Sequence, residues 1–350
     1  MNRKGVSYDV GRVMGGNWHP TFDLKIIHRE LEIIKNDLHC NAVRICGLDI
    51  NRLMKASEVA LNQGLEVWLS PEMWNKSQTK TLNYIVRAAA AAENLRGERP
   101  EQLFLSVGSE LTLFMQGIVP GNTFMKRLRN PSLREIVNAG EHNKPLNAFL
   151  AGVKNSVRKV FHGQLTYASL PWEAVDWSLF DFVGVDHYRD AGIEDRYVDM
   201  LKPLFAYGKP VIITEFGHNT VRGTTGSGAI GSQMIGNVDY KTLFLHRIPL
   251  LGRFVRPRLN GEYVRDEALQ ARELIKTLGI LDATGVDGAF VFTFAFPIYT
   301  YDSDPRYDLD MASTSLVKSY GDGKHGATYP DMPWEPKESF RALADYYGTH

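Results

Sequence analysis

The stretch "QLFLSVGSE", residues 102–110, decides how this chain is interpreted. Phe104, Leu105 and Val107 belong to a short apolar run of the kind that forms a fully buried strand. The run then stops at Gly108 and delivers a carboxylate, Glu110, before apolar residues resume. Burying an unpaired charge costs on the order of several kcal/mol. A strand that ends in this way therefore predicts a polar site in which other groups hold the acid.

The chain on both sides of this stretch alternates short apolar runs with helical patterns, the clearest of which is 22–38. The other runs expected to form strands are 5–11, 41–47, 65–71, 165–170, 180–188, 209–217 and 288–297. Eight strands alternating with helices predict a (β/α)8 TIM barrel. We expect a single domain over residues 1–350, with long loops at 218–264 and 298–335. An open doubly wound sheet is the alternative, but "DVGRVMGGNW" is a poor phosphate-binding turn after the first strand.

Composition argues against several classes of partner. Lys+Arg and Asp+Glu are 40 each, so the net charge of zero favours neither nucleic acid nor a membrane surface. No apolar stretch approaches the ~20 residues of a membrane helix. The N-terminus lacks the apolar region of a secretory signal, and two cysteines, Cys40 and Cys46, make no disulfide framework. These features predict a cytoplasmic protein. No His-x-His pair follows the first strand, which argues against a metal-dependent amidohydrolase barrel, and we expect neither a metal nor a cofactor.

Polar and aromatic residues follow the expected strands at the end where a parallel barrel builds its active site. They are Asp9, Arg44, Glu72, Trp74, Ser109, Glu110, Trp172, Glu173, Asp186, His187, Tyr188, Glu215, His218 and Phe296. Glu215 ends "VIITE" just as Glu110 ends its own strand. Two carboxyl groups on separate strands suit glycosidic bond cleavage. One protonates the leaving oxygen, and the other attacks the anomeric carbon or activates water.

The motifs "AVRI", "VGSE", "FVGVDHY" and "KPVIITEFG" resemble those of clan A of the retaining glycoside hydrolases. The segment "YASLPWEAVDWSLFDFVGVDHY" is similar to the corresponding stretch of some mannan-cleaving members. The resemblance implies that Glu110 is the acid/base and Glu215 the nucleophile, and that Arg44 and Tyr188 hold the nucleophile. The expected partner is a carbohydrate or glycoside.

Two positions depart from the pattern of the clan. Ser109 stands where most members have Asn, and Phe296, with Phe294, lies where many have Trp. These departures leave the sugar and its linkage open. Trp74 and Trp172 are interpreted as sugar-stacking platforms, although packing at the rim is the alternative for both.

Other readings of the chain stay open beside this one. His187 and His218 are expected to be hydrogen-bonded site or core histidines rather than metal ligands. "GSGAIG", residues 226–231, matches Gly-x-Gly-x-x-Gly, but a flexible lid is favoured over a dinucleotide site. In "YDSDPRYDLD", residues 301–310, turn-forming acids are favoured over a calcium loop. A transglycosylase and a catalytically silent carbohydrate-binding barrel are the alternative functions, and the oligomeric state is left open.

Overall fold

Eight parallel strands form the centre of this computed structural model. The strands are β1 (Arg3–Asp9), β2 (Ala42–Gly47), β3 (Glu66–Pro71), β4 (Leu103–Ser109), β5 (Leu165–Ala168), β6 (Val183–Asp186), β7 (Val211–Phe216) and β8 (Gly288–Val291). Their order is β5-β4-β3-β2-β1-β8-β7-β6. Just past β5, Ser169 N donates to Gly184 O at 3.1 Å and Asp186 N donates to Ser169 O at 2.8 Å, which closes the sheet. The structure confirms the (β/α)8 TIM barrel.

The structure describes residues 1–14, 16–97, 99–222, 237–246, 248, 250, 252–321 and 323–350. The 226–231 segment, for which the sequence favours a lid, and part of the 218–264 loop lie outside these residues. No helix in the described ranges is long and apolar enough to cross a membrane.

Helices surround the barrel, and some of them begin at a side chain that caps them. They are α1 (Leu24–Asn36), α2 (Ile50–Asn62), α3 (Gln78–Arg96), α4 (Leu111–Phe114), α5 (Phe124–Leu128), α6 (Leu133–Ala139), α7 (Asn143–Val157), α8 (Tyr197–Leu201), α9 (Tyr240–His246), α10 (Glu267–Thr284) and α11 (Glu338–Thr349). Asp23 accepts a hydrogen bond from Lys25 N at 2.8 Å at the start of α1. Asp49 accepts one from Arg52 N at 3.0 Å at the start of α2. Each cap satisfies a backbone donor that the helix itself leaves unpaired.

The strand predicted over 288–297 is shorter than expected, since β8 ends at Val291. Beyond it the carbonyl groups of Thr293 and Phe294 accept hydrogen bonds from Leu316 N at 3.0 and 3.1 Å. Phe292 N still donates to Phe216 O of β7 at 2.7 Å and Phe294 N to Ser7 O of β1 at 2.9 Å, so a returning segment joins this stretch in addition to the barrel strands. The loop expected over 298–335 is also partly regular, because β9 (Val317–Ser319) and β10 (Trp334–Pro336) form an antiparallel pair.

The barrel interior is layered. At the N-terminal ends of the strands, a buried aromatic floor surrounds the guanidinium of Arg3, which lies 5.2–5.5 Å from the ring centroids of Trp68, Phe104 and Phe182. Two residues past Trp68 on β3, Phe104 on β4 and Ile212 on β7, hydroxyl side chains face the same interior, because side chains on a strand alternate between its faces. These residues are Ser70, Ser106 and Thr214. The next positions along the strands carry the charged groups of the site.

Candidate active site

A cluster of buried charges closes the interior at the C-terminal ends of the strands. Glu215 on β7 lies at its centre, and its Oε1 accepts hydrogen bonds from Arg44 Nη1 at 2.6 Å and Arg12 Nη2 at 2.7 Å. The hydroxyl of Tyr188 donates to the other oxygen, Oε2, at 3.0 Å. Arg44 comes from β2 and Arg12 from the loop after β1, so elements distant in sequence converge on one carboxylate.

This environment keeps Glu215 ionised. Burial by itself raises the pKa of Glu215, but the positive charges of Arg12 and Arg44 and their hydrogen bonds outweigh it, and its pKa is lowered. The hydrogen bond that Tyr188 donates also favours the carboxylate. Glu215 therefore has the protonation state that a nucleophile requires.

Glu72 shares both arginines with Glu215. Its Oε1 accepts from Arg12 Nη2 at 2.8 Å and from Arg44 Nη2 at 3.2 Å, and its Oε2 lies 3.4 Å from Trp74 Nε1. Burial raises the pKa of Glu72 in spite of the two guanidinium groups. Glu72 thus orients the cations that hold Glu215.

Asp9 shapes the turn that brings Arg12 into the cluster. Its Oδ1 accepts from the backbone N–H groups of Gly11 at 2.6 Å and Arg12 at 2.9 Å. These bonds fold the chain back immediately after β1, and the guanidinium of Arg12 reaches Glu215 from there. Asp9 is buried, and burial is the main reason that its pKa is raised.

Glu110 is set by an unusual backbone at the end of β4. Gly108 has φ 145°, and Glu110 itself is left-handed, at φ 45° and ψ 41°. Residues without glycine's freedom rarely adopt such conformations, and they cluster at functional sites. Backbone hydrogen bonds hold this turn, since Glu110 N donates to Ala168 O and Phe114 N donates to Glu110 O, both at 2.9 Å. The strand end is therefore built to fix the direction of the Glu110 carboxyl group.

The electrostatics of Glu110 are opposite to those of Glu215. The Glu110 side chain is partly exposed, and no side-chain hydrogen bond holds it within the described part of the chain. Burial of its carboxyl group, followed by the negative charges of Asp186 and Glu215, raises the pKa of Glu110 well above its ordinary value. The pKa of Glu110 is thus shifted in the direction opposite to that of Glu215.

Asp186, at the end of β6, lies between these two acids. Its Oδ2 accepts from Ser109 Oγ at 3.1 Å and its Oδ1 accepts from Thr214 Oγ1 at 2.6 Å. Burial, and then the charge of Glu215, raises the pKa of Asp186 to about 8. Ser109 is therefore engaged with a carboxyl group of the protein.

Aromatic residues line the rim beside the charged cluster. Trp74 stacks on Phe114 at 3.9 Å and meets the edge of Trp18 at 5.3 Å, and Trp18 lies 5.0 Å from Phe296. Trp74 and Phe296 are buried, whereas Trp18 is partly exposed. The tryptophan of this group that is open to a ligand is therefore Trp18. Trp172 is also partly exposed, and it packs against the hydrophobic cluster that contains Trp74 and meets the edge of His142 at 5.1 Å.

The two histidines named from the sequence are not brought to the cluster. The His187 ring stacks on Tyr197 of α8, with centroids 4.4 Å apart, and burial lowers its pKa to about 4. Because strand side chains alternate, His187 faces the helix layer while Asp186 faces the interior. His218 Nδ1 lies 2.8 Å from Asn219 O, and burial lowers its pKa. Both imidazoles are core groups here.

The sequence interpretation missed Arg12 and Trp18. Both lie in "DVGRVMGGNW", which was considered only as a phosphate-binding turn. An arginine three residues past the first strand, followed by a tryptophan, was the available signal. The sequence places Asp186 at a strand end but assigns it no role there.

Asp308 and Asp310, two of the acids of 301–310, are used in ion pairs. Arg265 binds Asp308 and Asp310, each at 2.8 Å, and the buried Lys337 also binds Asp310 at 2.8 Å. Nowhere in the described residues do three or more His, Cys, Asp or Glu side chains form a group that could hold a metal ion.

Comparison with known proteins agrees with the fold. Neither a protein-family model nor a curated protein matches the sequence. A GH113 β-1,4-mannanase structure is similar at a TM-score of 0.61 and 14% identity, covering 100% of this chain and 99% of that chain. AaManA, a GH113 β-mannanase from Alicyclobacillus acidocaldarius in complex with ManMIm, is similar at a TM-score of 0.60 and 14% identity, covering 99% of this chain and 97% of that chain. A β-glucuronidase from Ruminococcus gnavus in complex with D-glucaro 1,5-lactone is similar at a TM-score of 0.56 and 13% identity, covering 99% of this chain and 49% of that chain. At these identities the likeness establishes a shared barrel fold.

Proposed function

We propose that this protein is a retaining glycoside hydrolase in which Glu215 is the nucleophile and Glu110 the acid/base. The observation that carries the proposal is the contrast between the two acids. Arg12, Arg44 and Tyr188 hold Glu215 as a carboxylate, whereas burial and neighbouring negative charge keep Glu110 protonated. The fold shared with glycoside hydrolases supports the reaction class by analogy.

The hydrogen bonds of Glu215 indicate which of its oxygens attacks. Oε1 accepts from two guanidinium groups, whereas Oε2 accepts only from Tyr188 among the contacts described above. Oε2 therefore retains a lone pair for the anomeric carbon. As that bond forms, the glycosidic bond breaks and the Glu110 proton moves to the leaving oxygen.

The second half of the reaction reverses these roles. Glu110, now a carboxylate, takes a proton from water as the water oxygen attacks the anomeric carbon and releases Glu215. Two inversions give net retention of configuration. We expect the two carboxyl groups to lie about 5–5.5 Å apart in a crystal structure, whereas a separation near 9 Å would indicate an inverting enzyme.

A neutral β-linked sugar, with β-mannosides first, is the proposed substrate class. A uronic acid needs a cation for its carboxylate, and both arginines at the centre of the site are already paired with Glu215 and Glu72. The mannanases of similar fold favour β-mannosides over other neutral sugars by analogy alone. A screen of aryl β-glycosides, including mannosides and glucuronides, tests this choice directly.

Trapping of the covalent intermediate tests the mechanism. A 2-fluoro glycoside with a dinitrophenyl leaving group should label Glu215, as located by peptide mass spectrometry. Label on another residue, or turnover of unactivated glycosides without any labelling, would contradict the assignment. A silent carbohydrate-binding barrel would give neither label nor turnover, and a transglycosylase would be labelled but would give mainly transfer products.

Two variants separate the roles of the acids. Glu215→Ala should abolish turnover of every substrate, because no intermediate can form. Glu110→Ala should keep activity on dinitrophenyl glycosides, whose departure needs no proton, and azide should rescue it with a glycosyl azide of retained configuration. If azide rescues Glu215→Ala with retention instead, the roles are reversed.

A further inference from the structure

Asp186 contacts the residue that immediately precedes each of the two acids. Ser109, before Glu110, donates to one oxygen of Asp186, and Thr214, before Glu215, donates to the other. We propose that Asp186 is a positioning residue that holds the ends of β4 and β7 at a fixed separation, and thereby fixes the distance between the two acids. The inference rests on the proposed function for its kinetic consequences, although its geometric part stands alone.

The barrel's own hydrogen bonds cannot do this directly. In the sheet order, β5 and β6 separate β4 from β7, so no backbone ladder joins the two strands that carry the acids. Small displacements between neighbours can add across the two intervening strands. The side chain of Asp186, which leaves β6 between them, provides a short connection of two hydrogen bonds.

Irregularities in the strands make this connection possible. The pairing register shifts between Ser106 and Ser109 on β4 and between Ile213 and Phe216 on β7. Such bulges locally re-aim side chains that regular alternation would send to opposite faces. Ser109 and Thr214 can therefore point at Asp186 while the next residue along each strand serves the site.

Burial keeps the bridge intact. Asp186 and Ser109 are each 2% exposed and Thr214 is 1% exposed, so bulk water does not compete for their hydrogen bonds. A Cβ built on Gly184 would lie 3.3 Å from Thr214 Cγ2 and 2.4 Å from Tyr167 O, so the absence of a side chain there lets the neighbouring strands approach β6. Each oxygen of Asp186 accepts a hydrogen bond from a hydroxyl on the strand that carries one of the two acids, so Asp186 links the backbones of those strands.

The consequence for catalysis is that loss of the bridge should impair proton transfer from Glu110 most. A misplacement of about 1 Å costs roughly 100-fold in rate. Asp186→Ala should therefore lower kcat about 100-fold on glycosides with poor leaving groups, and clearly less on dinitrophenyl glycosides, with KM little changed. Asp186→Asn should restore most of the loss, since an amide can accept from one hydroxyl and donate to the other.

The experiment combines kinetics with crystal structures. Rates for a series of aryl glycosides of differing leaving-group pKa are measured for Asp186→Ala, Asp186→Asn, and the single-arm variants Ser109→Ala and Thr214→Ala. The control is Ser7→Ala, which removes a buried barrel hydroxyl that has no hydrogen-bond partner in the described residues. Crystal structures of the same variants give the distance between the Glu110 and Glu215 carboxyl groups.

In Asp186→Ala we expect the rate to depend more steeply on the pKa of the leaving group, and the distance between the two carboxyl groups to change. The single-arm variants should show smaller versions of both effects. Asp186→Asn and the control should show neither effect. An unchanged separation and unchanged leaving-group dependence in Asp186→Ala would overturn the proposal, as would equal impairment in Asp186→Asn. If Asp186→Ala fails to fold, the Asp186→Asn and single-arm variants test the positioning role of Asp186. Failure of the fluoro glycoside to label the wild type would refute the proposed function, while the crystallographic distances would still decide the bridge.

Discussion

Replacing Arg12 by Met removes one of the two guanidinium groups that bind Glu215 while keeping a side chain of similar length. The lost contacts are the 2.7 Å hydrogen bond to Glu215 and the 2.8 Å hydrogen bond to Glu72. Arg44 keeps its own 2.6 Å bond to Glu215. The variant therefore weakens the electrostatic support of Glu215 without abolishing it.

The size of the effect follows from the charge that is removed. A close opposite charge lowers the pKa of a carboxyl group by about 1–3 units. Since Arg44 remains, we expect the pKa of Glu215 to rise by about 1–2 units, or about 1.4–2.8 kcal/mol. The sign is fixed by the chemistry: attack needs the carboxylate, so a higher pKa removes active enzyme as the pH falls. The acidic limb of kcat/KM should move to higher pH by the same 1–2 units.

The assay is the pH profile of kcat/KM on a dinitrophenyl glycoside, for which Glu110 need not donate a proton. Arg52→Met is the matched control, because Arg52 donates to the carbonyls of Val10 at 3.2 Å and His19 at 2.8 Å and so holds the same loop without touching a carboxylate. A uniform loss at every pH in Arg12→Met, with an unmoved acidic limb, would refute the electrostatic reasoning. An equal shift of the limb in Arg52→Met would assign the effect to displacement of the loop.

Three further changes test separate parts of the structure. Tyr188→Phe removes the 3.0 Å bond to Oε2 of Glu215, worth about 1.5–3 kcal/mol for a charged acceptor, so kcat should fall roughly 10- to 100-fold. His187→Phe should leave kcat and its pH profile unchanged, because the ring stacks on Tyr197 outside the site. The same variant should raise the free energy of unfolding by about 1 kcal/mol, because it removes two buried nitrogens with no hydrogen-bond partner in the described residues. Lys337→Met breaks a fully buried ion pair and should lower the free energy of unfolding by about 3–5 kcal/mol, measured by urea denaturation.

Each of these three predictions has a control or an outcome that would contradict it. Retention of full kcat in Tyr188→Phe would show that its hydroxyl does not support the nucleophile. A large fall of kcat in His187→Phe, with stability unchanged, would return His187 to the site. For Lys337→Met the control is Lys159→Met at an exposed position, and equal losses in both would contradict the importance of burial.

The fold could be predicted from the sequence because barrel strands and their helices have strong local patterns. The apolar runs that end on Glu110 and Glu215 correspond to β4 and β7 within one or two residues. The end of β8 could not be predicted in this way. Phe292 to Phe296 are as apolar as a strand, but the regular ladder stops at Val291, and beyond it the stretch bonds both to β7 and β1 and to a segment more than 20 residues further along the chain.

Only part of the site could be predicted from the sequence, for a related reason. Arg44 lies on β2 and Tyr188 two residues past β6, and the resemblance to clan A of the retaining glycoside hydrolases implied that both hold the nucleophile. Arg12 lies in a turn whose course depends on Asp9, and no periodicity reveals that its guanidinium reaches Glu215. His187 was included because it neighbours Tyr188, yet the alternation that directs Tyr188 inward sends His187 outward.

The aromatic floor around Arg3 affects how molecules move through the barrel. Trp68, Phe104 and Phe182 fill the interior at the N-terminal ends of the strands, and Arg3 is fixed there by an ion pair with Glu66 at 2.6 Å. A sugar that reaches Glu215 must therefore enter from the rim near Trp18, and the released product must return the same way. Under the proposed function, substrate and product therefore share one opening, and product should compete with the next substrate for it.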